Sequence, residues 1–355
     1  MIQKQKIQTL ECFLAAMAAG FLPFAQPEIC AQALREGLAL CGGPLLLSLF
    51  PFLIVSTLMM QCPAADVMGL LFVPVARLIG IRASAAGRVL FIGFLGGFAP
   101  AANAATEAVR SGQLTAAEAD ALLPACVCSG PSFVILTVGS SMLESTELGI
   151  ILFLAQLSAG YLSAALLARL IPFSKTVDVR PVDPKVRFLH LDKVIGQSAQ
   201  TYVKLCAFVL FFRMIAAGMG ALLPSGAAPL CAMLLEVCSG CDLAAKSGRF
   251  ASMLCCAALS VQGLSVLTQV RTICPAAMTL RPLYRARLLH LPLSLLIFCL
   301  LLPQRPEETF STLSTQVTTM YRLPPDCALV IFLGCCFEVC ELSRTVDQSL
   351  VNDKK

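Results

Sequence analysis

The chain has 355 residues, 57% of them hydrophobic and only 13% charged, with a mean hydropathy of +0.82. A soluble domain carries about 25% charged residues, so the composition excludes one and points to a polytopic helical membrane protein with lipid around it. The net charge of +5 sits in short loops between apolar runs, as topology signals do, which excludes nucleic acid as a partner.

The N-terminus reads Lys4, Lys6 and then LECFLAAMAAGFLPFA. A positive start and a short apolar core also describe a signal peptide, and the AQA at Ala31–Ala33 imitates a cleavage site. Polar residues after Phe24 and a second apolar run close behind favour a retained first membrane segment within 1–34. Spans need about 17–25 residues. Runs of that kind fall near 10–26, 38–59, 126–143, 147–172, 199–223, 250–270, 284–302 and 325–341. The apolar run 67–81 contains Pro74 and Arg77 and reads as partly interfacial.

Two further segments read as half-helices. Val89–Ala105 carries Gly93, Gly96, Gly97 and Pro100, then Asn103. Pro229–Lys246 holds Glu236 within an apolar run, then Ser239 and Gly240. Paired Gly- or Pro-interrupted segments point to a transporter binding site. After the first comes ATEAVRSGQLTAAEADALLPA, with Gly112 as a stop and Thr115 three residues before Glu118. That spacing is a capping box, and the stretch is expected to form two short amphipathic helices at the membrane surface. Polar residues fill 173–198, and the segment 271–287 carries Arg271, Arg281, Arg285 and Arg287 without an acid. Both are expected as cytoplasmic loops. They share one side only if the segment around Glu236 is re-entrant.

A weak internal repeat follows. LSLFPFLIVSTLM resembles VKLCAFVLFFRMI, and SGPSFVILTVG resembles VQGLSVLTQVR. The chain thus divides into an N-terminal segment 1–34, a first repeat 35–172, a polar loop 173–198, a second repeat 199–303, and a C-terminal loop, span and tail over 304–355. With Lys4 and Lys6 inside, the halves have opposite orientation. Inverted repeats with re-entrant or broken helices are a recurrent transporter architecture.

Most of the 18 cysteines lie in apolar runs, where free cysteine behaves as a small hydrophobe. Cys238 and Cys241 make one CxxC, but zinc needs about four ligands and the only histidines are His190 and His290. No metal and no cofactor are expected. Zincin, nucleophile-elbow, P-loop and Rossmann patterns are missing, so no enzyme is expected.

The candidate binding residues are polar groups at the breaks. A charge inside a membrane helix is a functional-site hypothesis by default. Glu236 therefore either serves the substrate or a coupling cation or proton, or is held structurally by a charge partner such as Arg213. Arg213 itself either faces an anionic substrate or snorkels to the interface. Pro131 and Gly130 break the helix beside Ser129 and Ser132. Gln262, Gly263, Ser265, Thr268 and Gln269 form the matching set in the second half, with Ser239 near Glu236 and Asn103 beside the first Gly-rich break. Broken backbone at membrane depth is tolerated where it lines a cavity, so these residues are expected around a small-molecule substrate.

Several stretches together resemble a known family. They are ALREGLALCGGPLLLSLFPFLIVSTLM, GFLGGFAPAANAATEAVRSGQLTAAEADALLPACVCSGPSFVILTVGSSM, LLEVCSGCDLAA, LSVQGLSVLTQVRTI and LYRARLLH. In this order, over roughly residues 30–300, the chain is similar to the sporulation integral membrane proteins of the YlbJ type, which carry nucleoside-recognition (Gate) domains. The resemblance implies the architecture of concentrative nucleoside transporters. It also implies a bacterial membrane, the outer forespore membrane, and movement of dipicolinate from mother cell toward forespore. A nucleoside transporter-like protein and a non-transporting scaffold of a sporulation complex are the alternatives. The implied substrate region is Asn103, Ser129–Ser132, Glu236 and Gln262–Gln269. Three departures remove polar groups from it. The family's Gly-Tyr/Phe-Pro-x-Gly-Ala is Gly97–Ala102 here, two Asn are replaced by Val127 and Cys128, and a Thr by Cys238. Dipicolinate is a dianion, so Arg213 or helix N-termini would supply positive potential. A homo-oligomer is left open.

Overall fold

The computed structural model describes Met17 and residues 19–62, 64–171, 191–224 and 227–302. Most of the polar loop, the expected last span at 325–341 and the start of the first span lie outside the described residues. Among the described residues all regular structure is helical. Five helices are long and apolar enough to cross a membrane: Pro27–Met60, Thr146–Leu170, Leu191–Leu222, Gly248–Ile273 and Arg281–Leu301. The protein is membrane-embedded.

The first of these spans begins well before the expected residue 38. Helix α1 (Pro27–Leu40) starts at Pro27, where a missing N–H is harmless. Its inward stripe is Cys30, Ala33 and Gly37, spaced at i+3 and i+4, so its polar residues sit on the outer face and dilute the apolar run. A π-turn at Cys41–Leu45 joins α1 to α2 (Leu46–Gln61). Gly43 departs from helical geometry there, and Pro44 follows it with no N–H to give. The hydroxyl of Tyr202 donates to the Cys41 carbonyl across the bundle.

Short helices α3 (Ala64–Gly69) and α4 (Val73–Ile79) follow, closed by a left-handed Gly80. The segment Ala65–Ile79 then bends by 110° into α5 (Ser84–Gly96). Helix α6 (Phe98–Arg110) folds back on α5. A Cβ on Gly93 would lie 3.2 Å from the Cβ of Ala101, eight residues on, whereas a continuous helix would separate them by about 12 Å.

Helix α7 (Ala116–Cys126) opens with the full capping box of Thr115 and Glu118. It does not lie at the membrane surface as expected. Every residue from Glu118 to Cys126 is buried, as is most of α6. The acids that suggested an exposed face are occupied internally. Glu118 closes the box, and Asp120 accepts from the Thr279 amide and hydroxyl and from the Leu280 amide. After a break at residues 127–131 the chain continues as a π-helical segment, Ser132–Met142. That segment is tied to α2 by Ser48 and Thr137, 2.7 Å apart, and turns into α8 (Thr146–Leu170).

The second half runs through a long helix α9 (Leu191–Leu222), a pair α10 (Ala228–Leu235) and α11 (Val237–Ala245), a broken helix α12 (Ala251–Val261) and α13 (Gly263–Ile273), then α14 (Arg281–Leu301), without a counterpart of α3 and α4. Residues 191–198, expected in the polar loop, are the first turns of α9, because Val194, Ser198 and Tyr202 continue its buried stripe. The segment 271–287 is not one loop either. Arg271 closes a turn at Cys274–Leu280 by donating to the Met278 carbonyl at 2.6 Å, and α14 begins at Arg281. α8, α12 and α14 share a polar seam. Gln156 donates to the Cys256 carbonyl and the Ser260 hydroxyl at 3.0 Å, Ser260 meets Ser294, and His290 Nε2 lies 3.0 Å from the Gln156 carbonyl. Such bonds are the usual adhesive between membrane helices.

Helix pairs also meet at small residues. A Cβ on Gly139 would collide with the backbone of Gly149 and the Ser145 carbonyl. Gly139→Val is therefore expected to cost about 1–3 kcal/mol through overpacking and to lower the thermal midpoint in detergent. Leu136→Ala, at a position 44% exposed, should leave it nearly unchanged. Equal midpoints for the two variants would contradict this packing.

Candidate functional site

Besides the kink at Gly43, four interruptions among the described residues put non-helical backbone around one cavity. Two are hairpin tips. The α5–α6 tip is Gly97 (φ 77, ψ −158), and the α10–α11 tip is Glu236 (φ −152, ψ 126). The second pair also folds back on itself: a Cβ on Gly240 would lie 2.9 Å from the Met233 Cα, seven residues away. The other two interruptions divide helices. Residues 127–131 separate α7 from the π-segment. Gln262 (φ 62) and Gly263 (φ 69) separate α12 from α13.

Each tip sits on the divided helix of its own half. A Cβ on Gly97 would come within 2.7 Å of the Gly130 amide nitrogen. One on Gly263 would come within 2.8 Å of the Glu236 nitrogen and 2.9 Å of the Leu235 carbonyl carbon. Positive φ and backbone contact together demand glycine at both places. The two crossings then meet. Gly96, Phe98, Pro100, Ser129, Gly130, Glu236, Cys238 and Gln269 line one cavity of about 40 Å³, with Leu49, Leu53, Leu205 and Val209 as its apolar wall.

Glu236 is 1% exposed and caps its own helix. Its carboxylate accepts from the Cys238 amide at 2.8 Å, the Ser239 amide at 2.6 Å and the Ser239 hydroxyl at 2.9 Å. A carboxylate has about four lone-pair sites, so roughly one is left for a ligand, a proton or a cation. Ser129, Gly130, Glu236 and Gln269 reach the cavity directly. Pro131 and Ser132 start the π-segment beside it. Ser265 is buried and accepts from Gln269 at 3.2 Å. Gln262 is buried with both amide atoms unpartnered. Asn103 is not brought in: it lies exposed farther along α6.

Arg213 also lies outside the cavity lining. It donates to Glu36 at 2.7 Å and Asp242 at 2.8 Å, and Lys246 pairs with Asp242 at 3.0 Å. Its charge is taken by α1 and by the far arm of the second hairpin. No family model, curated protein or solved structure matches the chain. Among the described residues no three His, Cys, Asp or Glu side chains gather to hold a metal.

Sequence reasoning missed Arg287. It lies where the expected basic loop 271–287 overlaps the expected span 284–302, and it reaches from α14 to the Val127 carbonyl and, at 3.4 Å, to the Ser260 carbonyl. Those carbonyls end α7 and α12, so one guanidinium holds the C-terminal ends of both divided helices. Its Nε is buried without a partner. The signal was present in the spacing of Leu283, Ala286, His290, Ser294 and Phe298, a helical stripe that runs through the basic segment.

Glu236→Ala would leave two amides and a hydroxyl unpaired, and loss of an N-cap costs about 0.5–2 kcal/mol. Glu236→Gln keeps an acceptor oxygen. The alanine variant should therefore melt clearly below the glutamine variant in detergent. Identical melting would remove the capping role.

Proposed function

We propose that this protein is a membrane transporter of a small carboxylate anion, bound where the two pairs of broken helices meet. One observation carries this reading: four half-helix N-termini converge on one cavity. First-turn residues Phe98 and Pro100 of α6, Phe133 of the π-segment, Val237 and Cys238 of α11 and Val266 of α13 all line it. Helix N-termini carry partial positive charge, and in transporters broken-helix N-termini face anionic substrate groups. Only α11 has a side-chain cap, Glu236; α6, the π-segment and α13 have none. Three N-termini are thus open to the oxygens of a ligand, without any help from Arg213.

Dipicolinate suits this arrangement. Its two carboxylates can meet separate N-termini while its ring packs against Phe98 and Phe133. Ligand pockets measure about 300–1,000 Å³, so a cavity of about 40 Å³ is a closed state that must widen to admit substrate. The hairpin and divided helix in each half support inverted halves in the manner of concentrative nucleoside transporters, with the hairpins as moving parts. The motif order supports membership of the YlbJ-type sporulation proteins, and with it a bacterial membrane and the outer forespore membrane. The remaining lone-pair site on Glu236 suits a coupling proton or cation.

The test is uptake of labelled dipicolinate into proteoliposomes by the intact protein and by Gly263→Ala and Glu236→Gln. The intact protein should give saturable uptake, and both variants should lose most of it while remaining monodisperse. Absence of dipicolinate uptake or counterflow by well-folded intact protein overturns the substrate. Full activity of Gly263→Ala overturns the site.

A further inference from the structure

A second cavity lies away from the breaks. It measures about 410 Å³ and is formed by the start of α7, the last turns of α8, the turn before α14 and the first turns of α14. Its walls are mainly small and apolar, among them Ala117, Ala121, Leu167 and Ala168. Arg281 and Arg285, one helical turn apart and both exposed, supply its charge. Among the described residues neither guanidinium has an acidic partner. Among the described residues the only carboxylate lining the cavity is Asp120, and its oxygens accept from Thr279 and Leu280.

The cavity's position along the spans is informative. α8 is a 25-residue span and α14 a 21-residue span, about 37 and 31 Å long at 1.5 Å per residue. Both match a bilayer core of about 30 Å. The C-terminal end of α8 and the N-terminal end of α14 meet at this cavity, which places it at headgroup depth. Two unneutralised arginines over an apolar floor form an amphiphilic receptor: charge for a phosphate, alanines for the glycerol and first methylenes.

We infer that this cavity is a binding site for a phosphate ester, and that the anionic headgroup of a phospholipid fills it. Basic pockets between membrane helices recognise such headgroups. The phosphate chemistry is shared with free phosphate, but the apolar walls and the depth favour lipid. The site is independent of the transport reading.

The experiment uses intact protein purified in detergent, stripped of lipid and titrated with phosphatidylglycerol. Bound lipid is counted by native mass spectrometry. Arg281→Gln/Arg285→Gln should weaken retention by at least about tenfold, and Ala168→Phe, which fills the floor and leaves the charge, should do the same. Arg110→Gln, on another exposed arginine, should have no effect. Unchanged retention in both the double-arginine and the Ala168→Phe variants overturns the site. Phosphatidylglycerol that is displaced by millimolar inorganic phosphate, or phosphate retained in its place, overturns the lipid assignment and leaves a soluble anion as occupant.

Discussion

Backbone amides and carbonyls have no water to bond to inside a bilayer, and the rest of this structure follows from how four helix breaks meet that demand. Each break creates a C-terminal end with free carbonyls and an N-terminal end with free amides. The fold treats the two kinds of end differently. Arg287 takes carbonyls from the ends of α7 and α12. The amides of the opposite ends are turned toward one cavity, and only Glu236 closes any of them with a side chain. Separation of the two polarities leaves the cavity lined by helix N-termini rather than by carbonyl ends.

The two crossings are built alike but anchored differently. Gly97 on Gly130 is a contact of backbone with backbone, beside the Val127 carbonyl that Arg287 holds. Gly263 against Leu235 and Glu236 has the same closeness, and its hairpin is also tethered through Asp242 to Arg213 and Glu36. A buried ion pair fixes geometry more than it stabilises. The second hairpin therefore carries an ionic tether to α1 and α9 in addition to its backbone contact.

Much of the fold was legible because lipid imposes simple arithmetic on sequence. The spans at α8 and α14, the capping box at Thr115, the half-helices at Gly97 and Glu236 and the break at Gly263 could all be read from run length, glycine and proline. The start of α1 at Pro27 and the first turns of α9 were missed because an amphipathic helix end dilutes the apolar run. α7 was placed at the surface because Glu118 and Asp120 look like a wet face. Nothing local reveals that their partners are a capping threonine and a turn 159 residues away.

Sequence by itself determined that the chain is a helical membrane protein, where its helices must break, and that Glu236 sits at one of those breaks. Composition and backbone sterics act locally, so they can be read one segment at a time. Only tertiary structure decided that Gly130 faces Gly97 and that Gly263 faces Glu236. It also decided that Arg213 belongs to Glu36 and Asp242, and that Arg287 spans two helix ends. These are choices among partners far apart in the chain. They rest on which backbones approach closely enough to touch, a property of the packed bundle that no single segment encodes.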